Sequence, residues 1–283
     1  MSTTPLGESL GHGEHGNLGR RRCSSFANNC CLTEVLHGVR HLAEKLDGVV
    51  RIDFHVHTNR SPHGIHGLAE TIARAKRIGL DGIAVTDHNR LLTRKMAAQL
   101  SKIHNFLVIG GIEGGDLVRR KGRQSNAHRH WIGLNLDASV FSGLDDMEEI
   151  SEVIRDGGGI SIAPHPYARN GFRNYDRLRF DAVESLNGTR KDGEIASKGL
   201  ALVGGTDAHA AYMLGHTWTD VYDSDGSVES VVENVRRGNC VPGGSRIPLW
   251  VIARFYFAVL GRYLAYEPYE LIQTGSRLLR KYC

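Results

Sequence analysis

The sequence predicts an α/β fold in which strands and helices alternate along most of the chain. Three observations carry this reading: short β-branched runs recur from about residue 49 to 222, amphipathic stretches separate them, and glycines punctuate the junctions. Repeated βα units imply a largely parallel sheet, and their number implies a sheet closed or nearly closed into a barrel. In such a fold the functional face lies at the C-terminal ends of the strands.

Residues 1–33 are rich in Gly, Ser, Asn and His and show no period, so they read as a flexible arm. The arm lacks the uninterrupted apolar segment of a secretory signal, and its His12 and His15 read as solvated. A short helix is expected over 36–46, then a β-rich strand over 49–56 and a helix over 67–78 that stops at Gly79. A strand at 82–86, a helix at 91–103 and strands at 106–112 and 130–136 follow. The helix at 144–155 ends at three consecutive glycines, Gly157 to Gly159, before a strand at 160–163. Strands at 180–186, 201–205 and 217–222 and helices at 191–198 and 228–236 complete the unit, which spans 34–244.

The 283 residues suffice for one large or two small domains, and 41% hydrophobic with 23% charged residues excludes wholesale disorder and a polytopic membrane protein. Cys23, Cys30, Cys31, Cys240 and Cys283 form no C-x-x-C pair, against both a disulfide framework and a thiolate zinc knuckle. A reducing, cytoplasmic setting is expected. The net charge of +4 resides in residues 245–283, where six basic residues face two acidic ones, so the body has no surplus to attract nucleic acid.

Chemistry is concentrated at the strand ends. His55 and His57 close the first strand, Asp87 and His88 the second, and Glu113 the third; His130 lies at the fourth, His165 follows the fifth, and Asp207 and His209 follow a later one. Residues i and i+2 of a strand point to one side, so the His55–His57 and Asp207–His209 pairs can each present two donors to a pocket. Imidazole and carboxylate without thiolate select Zn, Mn or Fe, and the number of donors exceeds what one ion needs. His37, His66, His104 and His216 read as ordinary hydrogen-bonded residues. Arg60, Arg169 and Arg173 are candidates to hold an anionic substrate, and Asp87 is a candidate proton donor.

The segments Asp53-Phe54-His55-Val56-His57-Thr58, Thr86-Asp87-His88-Asn89, Gly111-Ile112-Glu113-Gly114, Ala163-Pro164-His165-Pro166 and Gly205-Thr206-Asp207-Ala208-His209 together resemble the ordered motifs of the PHP (polymerase and histidinol phosphatase) family. The resemblance spans about 49–244. It implies a distorted seven-stranded (β/α) barrel with a trinuclear metal centre that hydrolyses phosphate esters. Carried over, it assigns His55, His57, Glu113 and Asp207 to a first ion, with Glu113 bridging to a second held by His130 and His165. His63, His88 and His209 would hold the third. His130 is preferred to its rival His128 because its surroundings match the family phrase better. Asp53 reads as a structural carboxylate behind the ligands.

The implied function is a metal-dependent phosphatase or phosphodiesterase with two to three divalent ions, acting through a metal-bridged hydroxide on a small phosphomonoester or nucleotide. The alternatives are a nuclease acting on oligonucleotides, with the neutral body disfavouring nucleic acid, and a non-catalytic binding module. Residues 245–283 form a basic, aromatic-rich helical tail. Its apolar run 249–264 is interrupted by Arg254, so it is not expected to span a membrane. Its wide apolar stripe must be buried against the barrel, in a homo-oligomer, or at a membrane surface through 247–282. On this reading deleting 246–283 changes solubility or oligomeric state more than chemistry.

Overall fold

The computed structural model of the chain describes residues 48–115, 129–137, 144, 146–190 and 195–266, with side chains to 262. The elements in order are β1 (Val50–Val56), α1 (Leu68–Arg77), β2 (Gly82–Val85), α2 (Arg94–His104), β3 (Leu107–Gly114), β4 (Trp131–Leu134), α3 (Met147–Asp156), β5 (Ile160–Ala163), β6 (Ala182–Asn187), β7 (Ala201–Gly205), β8 (Thr217–Val221), α4 (Val228–Arg236), β9 (Cys240–Gly244) and α5 (Leu249–Tyr266). The arm 1–33 and the helix expected over 36–46 lie outside the described residues.

Helix starts follow local chemistry. Thr93 accepts from the Met96 amide, which sets the start of α2 at Arg94 rather than at 91, and Asp146 and Ser227 cap α3 and α4 in the same way. Helix α1 carries Glu70 in its first turn and Arg74, Lys76 and Arg77 in its last, matching its dipole. The helix expected over 191–198 does not extend through its described part. There Lys198 and Gly199 take positive φ and the Leu200 amide turns back onto the Ser197 carbonyl.

The strands form one mixed sheet in the order β7-β6-β5-β4-β3-β2-β1-β8-β9. The expected α/β barrel is present, with nine strands in place of the seven that the resemblance implies and with antiparallel pairs among the parallel ones. β1, β2 and β3 pair in parallel, as do β5, β6 and β7, but β4 runs antiparallel to both neighbours, and β8 and β9 add an antiparallel pair beyond β1. The extra strand β9 contains Pro242, Gly243 and Gly244, which read as turn residues; its edge position tolerates them.

The sheet curls until β7 meets its other end, and side chains make the join. The Gly204 amide donates to Thr219 Oγ1 at 2.7 Å and that hydroxyl donates to the Gly204 carbonyl at 3.0 Å. Just past β7 the backbone pairs directly with β1: the Asp207 amide donates to the His55 carbonyl and the His57 amide to the Ala208 carbonyl, each at 2.9 Å. The closure therefore falls at the C-terminal ends of β1 and β7.

One core draws on all nine strands and on Val231, Val232 and Val235 of α4. A second joins Ile72 and Ala75 of α1 to Ile247 and to Val251 and Phe255 of α5. Burying such side chains contributes about 1.5–3 kcal/mol each, so α5 is anchored on the barrel by its inner face. Its other face remains open: Leu249, Trp250 and Phe257 are 78%, 69% and 75% exposed. The wide apolar stripe is thus divided between barrel and solvent. Among the described residues no helix is long and apolar enough to cross a membrane.

Replacing Thr219 by Val keeps the shape but leaves the buried Gly204 amide without its acceptor. Thr219→Val is expected to destabilise by about 1–3 kcal/mol, and Thr219→Ser by less. Urea midpoints equal to wild type in Thr219→Val would show that closure does not depend on this hydroxyl.

Candidate metal centre

At the closed end of the barrel, β1 delivers two imidazoles whose back nitrogens are already engaged. His55 Nδ1 lies 3.2 Å from Glu184 Oε1 and His57 Nδ1 lies 3.0 Å from Ser61 Oγ. Ser61 gives its own proton to Asp87 Oδ1 at 2.8 Å, so it accepts from His57. A carboxylate and an accepting hydroxyl behind the rings place a proton on each Nδ1 and leave each Nε2 with a lone pair. These two Nε2 atoms face one another at 3.0 Å. Opposed lone pairs at that distance require a proton or a cation between them.

Glu113 stands beside this pair at the end of β3. Its Oε1 contacts His130 Nδ1 at 2.6 Å and His165 Nε2 at 3.2 Å; its Oε2 lies 3.4, 3.2 and 3.1 Å from His55 Nε2, His57 Nε2 and His88 Nδ1. The two oxygens thus serve two different groups of imidazoles. Asp207 Oδ1 completes the side facing β1, at 3.6 Å from His55 Nε2 and 3.4 Å from His57 Nε2. The His209 ring lies 4.1 Å from that of His57. Four sets of donors lie close enough to share a cation: His55, His57 and Asp207; His55, Glu113 and His165; His88, Glu113 and His130; and His57, His88 and His209.

The backbone is bent to deliver these groups. His165 and Asp207 both have positive φ, 28° and 54°, where non-glycine residues are strained. Gly205, two residues before Asp207, must be glycine: a Cβ there would sit 2.4 Å from His55 Cβ and 2.6 Å from Glu184 Oε1. Asp53 binds the Thr206 amide and hydroxyl at 2.9 and 2.5 Å, tying β1 to the segment that carries Asp207. Burial pushes its carboxyl up to about 7, against the pull of those hydrogen bonds. It is a structural group, as its position before His55 suggests.

The electrostatics favour a cation at the centre. Burial opposes charge on His55, but Glu113, Asp207 and Glu184 override it and hold the imidazole well above its ordinary value. His57 is raised too, its burial overcome by Asp207 and Glu113. Glu113 and Asp207 are held well below the usual carboxylate range despite burial, chiefly by His55. His209 is pushed down to about 3 by burial and the neighbouring His57, and offers a neutral donor. Protons thus occupy positions that divalent ions would take, and Glu113 Oε2 and His165 Nδ1 have no hydrogen-bond partner among the described residues. The donor set fits metal ions.

Other expected site residues are placed differently. His63 is exposed at φ 68° and joins none of the four donor sets; it lines the pocket mouth with Asp207 and His209. Asp87 faces away from the pocket: its Oδ1 accepts from the Thr58 amide and Ser61 hydroxyl, and its Oδ2 from the Thr58 hydroxyl. It positions His57 through Ser61 and is not set to donate a proton. Arg60 donates to the Leu91 carbonyl at 3.2 Å, and Arg169 and Arg173 are exposed and are not among the residues that line this pocket. His128 lies outside the described residues.

The cation in the pocket is instead Arg190, with Nε 3.9 Å from Asp207 Oδ2, beside Thr189, whose hydroxyl donates to the same oxygen at 2.9 Å. Glu184 and Asn170 are further supports absent from the sequence reading: Glu184 also accepts from the His165 amide at 2.8 Å, and Asn170 Nδ2 lies 3.0 Å from His130 Nε2. Glu184, Asn187, Thr189 and Arg190 all sit near the end of β6, so the strand-end logic that found the histidines extends to them. Helix α5 also reaches the site, with Phe255 5.9 Å from the His209 ring. Of the three partners expected for the tail's apolar stripe, the barrel takes its inner face, next to this site.

The PHP domain family model matches residues 53–162 and the PHP-associated model residues 193–240. An uncharacterized protein of Methanocaldococcus jannaschii is 29% identical over 158 residues, covering 51% of this chain and 85% of that protein. A two-domain protein from Bacteroides vulgatus, described as containing a predicted PHP-like metal-dependent phosphoesterase, superposes with a TM-score of 0.51 at 17% identity, over 70% of this chain. This chain spans 65% of that protein's length. PsfC from Pseudomonas syringae superposes with a TM-score of 0.50 at 14% identity, covering 76% of this chain and 99% of PsfC. At these identities the superpositions speak to the fold.

Two outcomes follow from the geometry. His55 and His57 are raised, so in the metal-free chain they keep protons that an entering ion must expel; Mn²⁺ affinity is expected to fall as pH is lowered through neutrality. Calorimetry in buffers of different ionisation enthalpy reads the released protons, and none would count against this cluster. Gly205→Ala, which drives a Cβ into His55, is expected to lower metal content per chain by elemental analysis, whereas Gly261→Ala, with open space around it and no positive φ, leaves it unchanged.

Proposed function

From a chain that carries a PHP domain and its associated segment, we propose metal-dependent hydrolysis of a phosphate ester, with a small phosphomonoester or nucleotide as substrate. The observation that carries the reading is Glu113, one buried carboxylate divided between two groups of imidazoles. Donors of this kind, without thiolate, suit Zn, Mn or Fe, and their number suits two to three ions. When bound, such ions supply Lewis-acid activation of water and neutralise charge on a phosphoryl group.

The chain's own residues supply the rest. His55, His57 and Asp207 are the proposed ligands on one side of Glu113, and His130 and His165 on the other. His57, His88 and His209 form the third set, in the place that the resemblance gave partly to His63. Glu184, Ser61 and Asn170 fix ring orientation from behind. Arg190, about half exposed at the pocket mouth, can turn its guanidinium onto a phosphoryl oxygen that reaches the metals.

Two features support a small substrate over an oligonucleotide. The pocket encloses about 320 Å³, and Arg190 is the one Lys or Arg among its described lining residues. Tracking a phosphate backbone requires a basic groove.

Phosphate release from an aryl phosphate with Mn²⁺ is the direct assay. His57→Ala and Asp207→Ala are expected to abolish release while the fold persists, and Glu184→Ala to reduce it about 10–100-fold. Dialysis against a chelator should remove activity and added metal restore it. A metal-loaded protein that released no phosphate from mononucleotides or aryl phosphates would support the non-catalytic module, and shortening of oligonucleotides without mononucleotide hydrolysis would support a nuclease.

A further inference from the structure

The metal-facing pocket has an apolar wall that the family segments do not supply. The family matches end at residue 240, and most of the wall comes from beyond it: Ile252, Phe255, Tyr256 and Val259 of α5, with Met213 added from within the matched segment, face the side that carries Asp207, His209 and Arg190. Phe255 is 9% exposed, with its ring beside His209.

The wall is held in place at several points. The Ile247 amide donates to the Gly188 carbonyl at 2.8 Å, which ties the start of α5 to the β6 loop bearing Thr189 and Arg190. Arg254 lies over the Tyr212 ring at 4.3 Å, and Arg262 donates to the Gly64 carbonyl at 3.0 Å, next to His63. Val251 and Phe255 are buried in the core shared with α1. A surface fixed at both ends and seated in the core is preorganised for binding.

We propose that α5 is the specificity wall of this site and selects phosphate esters whose alcohol is aromatic or aliphatic next to the phosphoryl oxygen. The proposal rests on the phosphoesterase reading. A phosphoryl group drawn to the donor cluster and Arg190 leaves its alcohol against Phe255, Ile252 and Val259. An apolar group there exchanges water for hydrocarbon contact. A polyol would bury hydroxyls against Phe255, Ile252 and Val259, which offer no hydrogen-bonding group, and is disfavoured; the one hydroxyl that α5 brings to this pocket, on Tyr256, is on a side chain 66% exposed at its rim.

The test uses the full chain loaded with Mn²⁺ and two non-hydrolysable probes, phenylphosphonate and methylphosphonate, titrated by calorimetry. Phenyl phosphate and glycerol phosphate turnover are measured in parallel. Wild type is expected to bind phenylphosphonate about tenfold or more tightly than methylphosphonate. Phe255→Ala should erase most of that preference, while Phe257→Ala, on the exposed face, leaves it intact. If Phe255→Ala fails to fold, Val259→Asn carries the same expectation. Equal binding of the two probes by wild type, or a preference unchanged in the pocket variants, overturns the proposal. Preferential binding without phosphate release from any ester would keep the wall and discard the hydrolase reading. Release with no preference between esters would do the reverse.

Discussion

Glu113 is the constraint on which the rest of the centre depends. A carboxylate at 1% exposure cannot carry charge alone, since desolvation costs several kcal/mol unless the charge is compensated. Here the compensation comes from five imidazoles, two on one oxygen and three near the other. To bring them together, the chain must gather the ends of β1, β3 and β4 and the segments after β2 and β5. The mixed sheet does this, with β4 reversed between β3 and β5 so that His130, just before β4, arrives at the end where Glu113 and His165 emerge.

Behind this inner ring stands a second layer of carboxylates whose task is to hold backbone and rings. Asp53 joins β1 to Thr206, Glu184 joins His55 to the His165 amide, and Asp87 joins Thr58 to Ser61 and through it to His57. Each spans two segments that the curled sheet brings side by side. The same contacts close the barrel and aim the donor side chains, so the cluster and the closure form one structure. The same network helps explain how His165 and Asp207 persist at positive φ, since several surrounding bonds fix them there.

What the sequence made legible follows from what it encodes locally. The i, i+2 spacing of His55 and His57 states their common direction, and the placement of Glu113, His165 and Asp207 just at strand ends states their common pocket. The structure brings all of these together. Position along the chain says nothing of rotation about the side chain: Asp87 turns back onto Thr58 and Ser61, and His63 sits on a left-handed turn beside the pocket. Glu184, Asn170 and Arg190 were passed over because each is an ordinary polar residue until the fold sets it beside an imidazole or Asp207. Strand β9 hid for a different reason, its Pro-Gly-Gly composition being admissible only at an edge that the topology alone defines.

Helix α5 shows the same limit on a larger scale. Its sequence is apolar almost all round, so no hydrophobic face can be chosen from the pattern. Partners decide instead. Pro248 and the Ile247–Gly188 hydrogen bond set where the helix begins, and Arg254 and Arg262, which interrupt the apolar run, find Tyr212 and the Gly64 carbonyl on the barrel. The arginines therefore fix the rotation of the helix, turning Val251, Phe255 and Val259 inward and leaving Leu249, Trp250 and Phe257 outward. In this arrangement the charges that argue against a membrane span are the same groups that turn an apolar segment into a wall of the pocket.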